Sequence, residues 1–264
     1  QKCFDIATNW IALFNLHLKT AFKSSKSGSD LFLEHSFWRD ALALTWSLDT
    51  MTGSRTIVDL LSEKAAQVGL SDIALDKTAS PPQWVIRAGT DAIEAFFKFE
   101  TKAAIGRGIM RLCPTTEPAE AGNTDQQWRA WTLFTAIDQL KGCEEKLDRN
   151  RPTGSSYSRD FRGPNWLDKR LAAQKYEDRD PTVLVVGGGQ AGLSIAARLT
   201  QLGVDSLIVD KNSRIGDNWR SRYHALTLQN QLHVNHLPYM PFPPTWPTHT
   251  PHDMLALRFE YSAS

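Results

Sequence analysis

Apolar positions along this chain follow two regimes, one before about residue 147 and another after 181. From residue 3 to about 23, Phe4, Ala7, Trp10, Ile11, Phe14 and Leu18 recur at intervals of three and four. That spacing puts them on one face and predicts an amphipathic helix. A small polar loop spans 24–30, and beyond it Leu42, Leu44, Trp46 and Leu48 alternate with Ala43, Thr45 and Ser47. Such alternation is the period of a strand with one apolar face, which Thr52 and Gly53 would close. Residues 54–68 read as a second helix. Alternation returns over 91–100, where Ile93, Ala95, Phe97 and Phe99 face one way and Glu94, Lys98 and Glu100 the other. Segments 104–112 and 127–137 are also strand-like. Helices first and then antiparallel-looking strands, with no strand–helix–strand alternation, predict an α+β domain over residues 1–147, one helix packed into a curved sheet.

The second regime opens with a short β-branched run at 182–186 that stops at Gly187, as a buried parallel strand does before a glycine turn. Gly187, Gly189 and Gly192 then fall as G-x-G-x-x-G. Leu193, Ala196, Ala197 and Leu199 follow at helical spacing until Gly203, and a second strand at 206–209 ends in Asp210. Strand, glycine turn, helix, strand and terminal acid form a dinucleotide-binding fingerprint with its context complete. Gly187 allows the tight turn, Gly189 lets backbone approach a pyrophosphate, and Gly192 lets the helix lie close to the strand. N–H groups at the helix start, aided by the helix dipole, face the phosphates. Asp210 stands where a carboxylate accepts hydrogen bonds from an adenosine ribose, and it suits FAD or NAD equally.

Between the regimes, residues 148–180 are rich in Arg, Asp, Ser and Gly and read as a linker, with a short charged helix at 165–176. The proline cluster at 238–251 excludes regular helix and central strand and predicts an extended, aromatic-bearing surface segment. Composition changes little in this picture. A chain of 264 residues with 41% hydrophobic and 22% charged residues is an ordinary globular one. A net charge of +1 gives no electrostatic reason to invoke nucleic acid. Cys3, Cys113 and Cys143 are scattered, which fits a reducing compartment and argues against a metal site. No apolar run reaches the length of a membrane span and no signal-peptide pattern is present, so the cytoplasm is the expected location.

The segments FWRDALALTWSLDTMTGSRTIVDLL and WRAWTLFTAIDQLKGCEE resemble the small cone-shaped domain of SnoaL-like or nuclear-transport-factor-like type. VVGGGQAGL, Asp210, RIGDNWRSRY and LPYMPFPPTWP, in that order, resemble flavin-containing monooxygenase-like proteins, some of which carry such a domain ahead of their flavin site. The resemblance implies that Gly187, Gly189, Gln190, Ala191 and Gly192 cradle the pyrophosphate of FAD and that Asp210, with Lys211, binds the adenosine end. It implies that Gly216, Trp219 and Arg220, matching a G-x-x-W-R segment, lie along the flavin; the other reading of Trp219 and Arg220 is a packing pair. Where such proteins place a His or Asn near the flavin ring, this chain has Gln229 and Asn230, the candidate catalytic residues. The implied activity is an FAD- and NADPH-dependent monooxygenase of N,N-dimethylaniline type. It would oxygenate a small nucleophilic or ketone substrate through a flavin hydroperoxide, the hard chemistry belonging to the cofactor. Homodimerisation is expected by the same resemblance.

No second glycine turn for NADPH follows Asp210, so the expectation is a C-terminally truncated member of that family, with residues 181–264 the first part of a Rossmann-type FAD-binding domain. Within residues 1–147 the candidates for acid–base chemistry are His17, His35, Asp40 and Asp138, weighed against plain structural roles. The alternative to an enzyme is a non-catalytic chain whose first domain binds a small apolar ligand or a partner.

Overall fold

A computed structural model describes residues 1–20, 22, 28, 30–115, 127–151 and 162–263. The chain divides into two units, Gln1–Cys143 and Glu144–Ser264. Part of the expected linker, 152–161, and part of the early polar loop lie outside the described residues.

In the first unit, helix α1 (Lys2–Lys19) buries Ala7, Trp10, Ile11 and Phe14 of the face its spacing predicts and His17 besides, while Phe4, expected on that face, is exposed. Helix α2 (Ser54–Val68) buries Ile57, Val58, Leu61 and Ala65 and ends at Gly69, whose left-handed φ of 66° closes it. Among the described residues seven strands complete the unit: β1 (Phe32–Ala41), β2 (Thr50–Thr52), β3 (Ser71–Leu75), β4 (Gln83–Arg87), β5 (Thr90–Glu100), β6 (Ala104–Pro114) and β7 (Trp128–Leu140). Their order is β2-β1-β7-β6-β5-β3, with β4 also paired to β5. β1 and β7 run parallel; the other pairs are antiparallel. Ile93, Ala95, Phe97 and Phe99 point inward from β5 onto the helices. Gly106 and Gly108 on β6 leave the room those rings occupy, since a Cβ at either would lie 2.2 Å from Phe99 and 2.1 Å from Phe97 respectively.

One predicted strand is corrected. Residues 42–47 form a bent loop, and the strand lies just before it, over Phe32–Ala41. Buried Asp40, at the end of β1, accepts the amides of Ala43, Leu44 and Thr45 on one oxygen at 3.1, 3.0 and 2.8 Å. A carboxylate that gathers three successive N–H groups withdraws them from any ladder, so the chain turns, with Leu42 at a φ of 64°. The apparent period is accidental: Leu44 is buried while Trp46 is 84% exposed. Strands β3 and β4 escape sequence reading because they are short and largely exposed.

In the second unit, helix α3 (Trp166–Gln174) starts with a capping box between Asn165 and Asp168. Strand β8 (Val183–Val186), helix α4 (Gln190–Gln201) and strand β9 (Ser206–Val209) follow, the two strands parallel with Val183 opposite Ser206 and Val186 opposite Val209. This is the strand–helix–strand crossover that the glycine pattern predicts. Helix α5 (Asp217–Arg220) is one turn, and helix α6 (His252–Ser262) is the last element. The proline segment corrects a second expectation. Leu237 and Phe242 are buried and join Leu193, Leu255 and Phe259 in one core, with Phe242 stacked on Trp246 at 5.4 Å. Proline forbids regular structure, but here the irregular backbone turns Phe242 inward and half-buries Trp246, while Tyr239 stays exposed as expected.

Candidate functional site

The glycine turn joins the C-terminal end of β8 to the start of α4. Gly187 has a φ of 107° and donates its N–H to Val209 O at 2.7 Å, closing the turn onto β9. A Cβ on Gly192 would lie 1.9 Å from the Gly187 carbonyl oxygen, so only glycine lets α4 come this close to the turn. Gly189 is different. The nearest atom to a Cβ there is Asn218 Nδ2 at 3.4 Å, so its hydrogen leaves room on the outer side of the turn. Gly189 is also the N-cap of α4, and no side chain caps it. First-turn amides of a helix without a cap are anion-binding groups. Gln190 and Ala191 are exposed beside them.

Asp210 follows β9 and faces back across the turn. Its Oδ2 accepts the Gly188 amide at 2.6 Å, and its Oδ1 accepts both the amide and the side-chain Nδ2 of Asn212, at 2.7 and 2.9 Å. The Asn212 amide, then that of Gly188, hold this carboxyl below the usual aspartate range. A carboxylate offers about four lone-pair directions, so three donors leave it able to accept a hydroxyl. Lys211 beside it is exposed.

The segment after this loop lies against α6. Gly216 is the N-cap of α5, and a Cβ there would lie 2.6 Å from Ala256 O. Trp219 meets Phe259 edge-on at 6.4 Å, while its Nε1 is buried with no acceptor among the described residues. Arg220 directs its guanidinium into the protein, to Ile215 O and Asp217 Oδ1, each at 2.9 Å, and to Glu260 Oε2 at 2.9 Å. Gln229 and Asn230 are exposed on a bend; Asn230 O accepts Asn235 Nδ2 at 3.2 Å. A dinucleotide fits what is present: an open backbone at Gly189, an uncapped helix start, an acceptor at Asp210 and an orphaned buried donor on Trp219. A hollow of about 800 Å³ is lined by residues of α3, α4, β9 and the 238–240 segment, Leu193 among them, and its lining does not include the glycine turn or Asp210.

Gly188, Asn212 and Glu260 were not singled out in the sequence. Asn212 carried a signal, because an Asn two positions beyond an acid suits a turn that bonds back to it. Glu260 carried none, being 40 residues from Arg220.

In the first unit, three of the four acid–base candidates have separate partners. Buried His17 pairs with Asp30 at 2.9 Å, and Asp138 pairs with Arg107 at 2.7 Å. His35 is exposed on β1. Asp40 accepts Thr135 Oγ1 at 2.5 Å as well as the loop amides, and Thr135 in turn accepts Trp38 Nε1 at 2.9 Å. The cavity beside them, lined by Trp10, Phe14, Leu44, Phe97 and Thr135, measures about 10 Å³. That is the space of about one water, too little for an apolar ligand without rearrangement. Among the described residues no helix is long and apolar enough to cross a membrane.

Residues 144–264 therefore contain a strand–helix–strand unit of Rossmann type, and residues 185–244 match the family described as NAD(P)-binding Rossmann-like domain. Among curated relatives, the chain is 30% identical over 99 residues to indole-3-pyruvate monooxygenase YUCCA1 of Oryza sativa subsp. japonica, covering 37% of this chain and 24% of that protein. It is 45% identical over 58 residues to the uncharacterized oxidoreductase CzcO-like of Geobacillus kaustophilus (strain HTA426), covering 22% of this chain and 17% of that one. The chain thus spans about a quarter or less of the length of the curated relatives it matches. Among solved structures, an NTF2-like superfamily protein from Salmonella enterica is 16% identical, covering 53% of this chain and 94% of that one with a TM-score of 0.34. The α+β unit followed by a Rossmann-type unit expected from the sequence agrees with the fold and the family match, and the expected likeness to flavin monooxygenases agrees with the curated relatives.

Proposed function

We propose that the second unit holds FAD and that the chain is the FAD-holding part of a flavin-dependent, NADPH-using monooxygenase acting on a small nucleophilic or ketone substrate. The observation that carries this reading is the turn itself: Gly192 closed against Gly187, Gly189 open, and Asp210 fixed on the Gly188 amide. In this reading the first-turn amides of α4, from Gly189 to Gly192, hold the pyrophosphate, with Gln190 and Ala191 flanking it. Asp210 accepts from the adenosine ribose, and Lys211 supplies positive charge beside it. Trp219 gives its unpartnered Nε1 to the cofactor, which relieves a buried donor that otherwise costs stability. Arg220 holds that segment to the protein. Gln229 or Asn230 offers an amide at the reacting end. Bound flavin supplies the redox and oxygen chemistry.

FAD is preferred over NAD because the matched relatives include proteins named as monooxygenases and because RIGDNWR, which follows Asp210, resembles the G-x-x-W-R segment of flavin-containing monooxygenase-like proteins. The N,N-dimethylaniline type and the substrate are part of the proposal, and indole-3-pyruvate, which names the plant relatives, is a reasonable first compound to try. The test is a titration of the purified chain with FAD, NAD and NADPH, following flavin fluorescence and ligand-induced thermal shifts. Saturable FAD binding at one site supports the proposal. Binding of NAD in preference to FAD, or of neither, would overturn it.

A further inference from the structure

One carboxylate on the last helix gathers the loop that follows Asp210. Glu260 lies on α6; its Oε1 accepts Arg214 Nε at 2.5 Å and its Oε2 accepts Arg214 Nη2 at 2.8 Å and Arg220 Nη2 at 2.9 Å. Arg220 also holds Ile215 O and Asp217 Oδ1 through Nη1. The two arginines bracket Ile215 to Trp219, so a single acid ties both ends of that segment. On the same helix, Ala256 meets Gly216 and Phe259 meets Trp219. Positions 256, 259 and 260 share a helix face by their spacing of three and four. That face is therefore the bed on which the segment rests. The Arg214 hydrogen bond holds the Glu260 carboxyl below its ordinary range, as expected for a shared ion pair.

We infer that Glu260 is a positioning residue for the cofactor-facing segment: by pairing with Arg214 and Arg220 it fixes Gly216 to Trp219 on α6 and sets the direction of Trp219 Nε1. The inference rests on the reading that this unit binds FAD. It also commits both guanidinium groups to the protein, so neither is the phosphate clamp of the site.

The test uses the full chain with Glu260→Ala and Glu260→Gln. The indole N–H resonance of Trp219, assigned by its disappearance in Trp219→Phe, is read without ligand, and FAD affinity is read separately. Glu260→Ala is expected to move the Trp219 resonance and to weaken FAD about tenfold. Glu260→Gln, which keeps one acceptor oxygen, should fall between it and the wild type. An unmoved Trp219 resonance with unchanged FAD affinity overturns the inference, even if the melting temperature falls, because Glu260 then serves stability alone. Should Glu260→Ala fail to fold, Glu260→Gln decides on the same two readouts. A wild-type chain that binds no FAD overturns the functional reading instead, and the ligand-free resonance still judges Glu260.

Discussion

The Gly188 amide donates to Asp210 Oδ2 at 2.6 Å, so the glycine turn and the acid 22 residues later are one hydrogen-bonded unit. Two parallel strands make this possible, because β8 and β9 end side by side and deliver Gly188 and Asp210 to the same rim. In the proposed reading, FAD binding then need not order either part, which removes an entropic cost of association.

Asp210→Asn should leave the fold intact and weaken FAD about tenfold, since an amide accepts on one atom only. Affinity measured against pH should be flat through neutrality. The folded carboxyl lies below the ordinary value of 3.8, so its contribution is present above that value and is lost only as pH falls through the lowered one. A loss of affinity already near neutral pH would contradict the assignment.

Gly189→Ala and Gly192→Ala should separate two roles. At Gly192 the methyl would meet backbone at 1.9 Å, so α4 must withdraw, costing about 1–3 kcal/mol in melting experiments as well as FAD affinity. At Gly189 the methyl meets only Asn218 Nδ2 at 3.4 Å. That variant should melt as the wild type does and yet lose FAD binding, because the methyl occupies the approach of the pyrophosphate.

Asp40→Ala should destabilise the first unit by about 3 kcal/mol or more, read by chemical denaturation. Three loop amides and the Thr45 and Thr135 hydroxyls lose their common acceptor there. Asp40→Asn, retaining one oxygen, should cost less. If Asp40 were instead an exchangeable catalytic acid, Asp40→Asn would leave stability unchanged.

Asp76 gives the first unit an acid limb. Burial raises its carboxyl, but the Thr78 hydroxyl and amide and the Lys98 ammonium outweigh it and bring the value to about 2. Being depressed, it stabilises fully above 3.8 and its contribution is lost as pH falls toward 2. The shift corresponds to about 2 kcal/mol, reduced by solvent at the partly exposed Lys98. Asp76→Asn should flatten stability over that window and lower it at neutral pH.

Sequence alone reached the two-part order, most of the buried face of α1, the extent of α2, the inward residues of β5 and the element order of the glycine crossover, though β8, read as a buried strand, leaves Leu184 and Val186 exposed; each success rests on local period or on a residue type that only one backbone geometry accepts. Gly192 is the clearest case, since its neighbour in space, Gly187, is five residues away. Folding alone decided the rest, because the deciding partners are distant along the chain. Asp40 overrode the alternation of 42–48 once burial beside Thr135 made its carboxylate the acceptor for the following amides. Phe242 went into a core with Phe259 although its prolines read as surface. Arg220, matched by motif to the cofactor, turned toward Glu260 on a helix that no spacing rule connects to it. Local pattern fixes what each segment can be; long-range packing and charge pairing choose which way its side chains point.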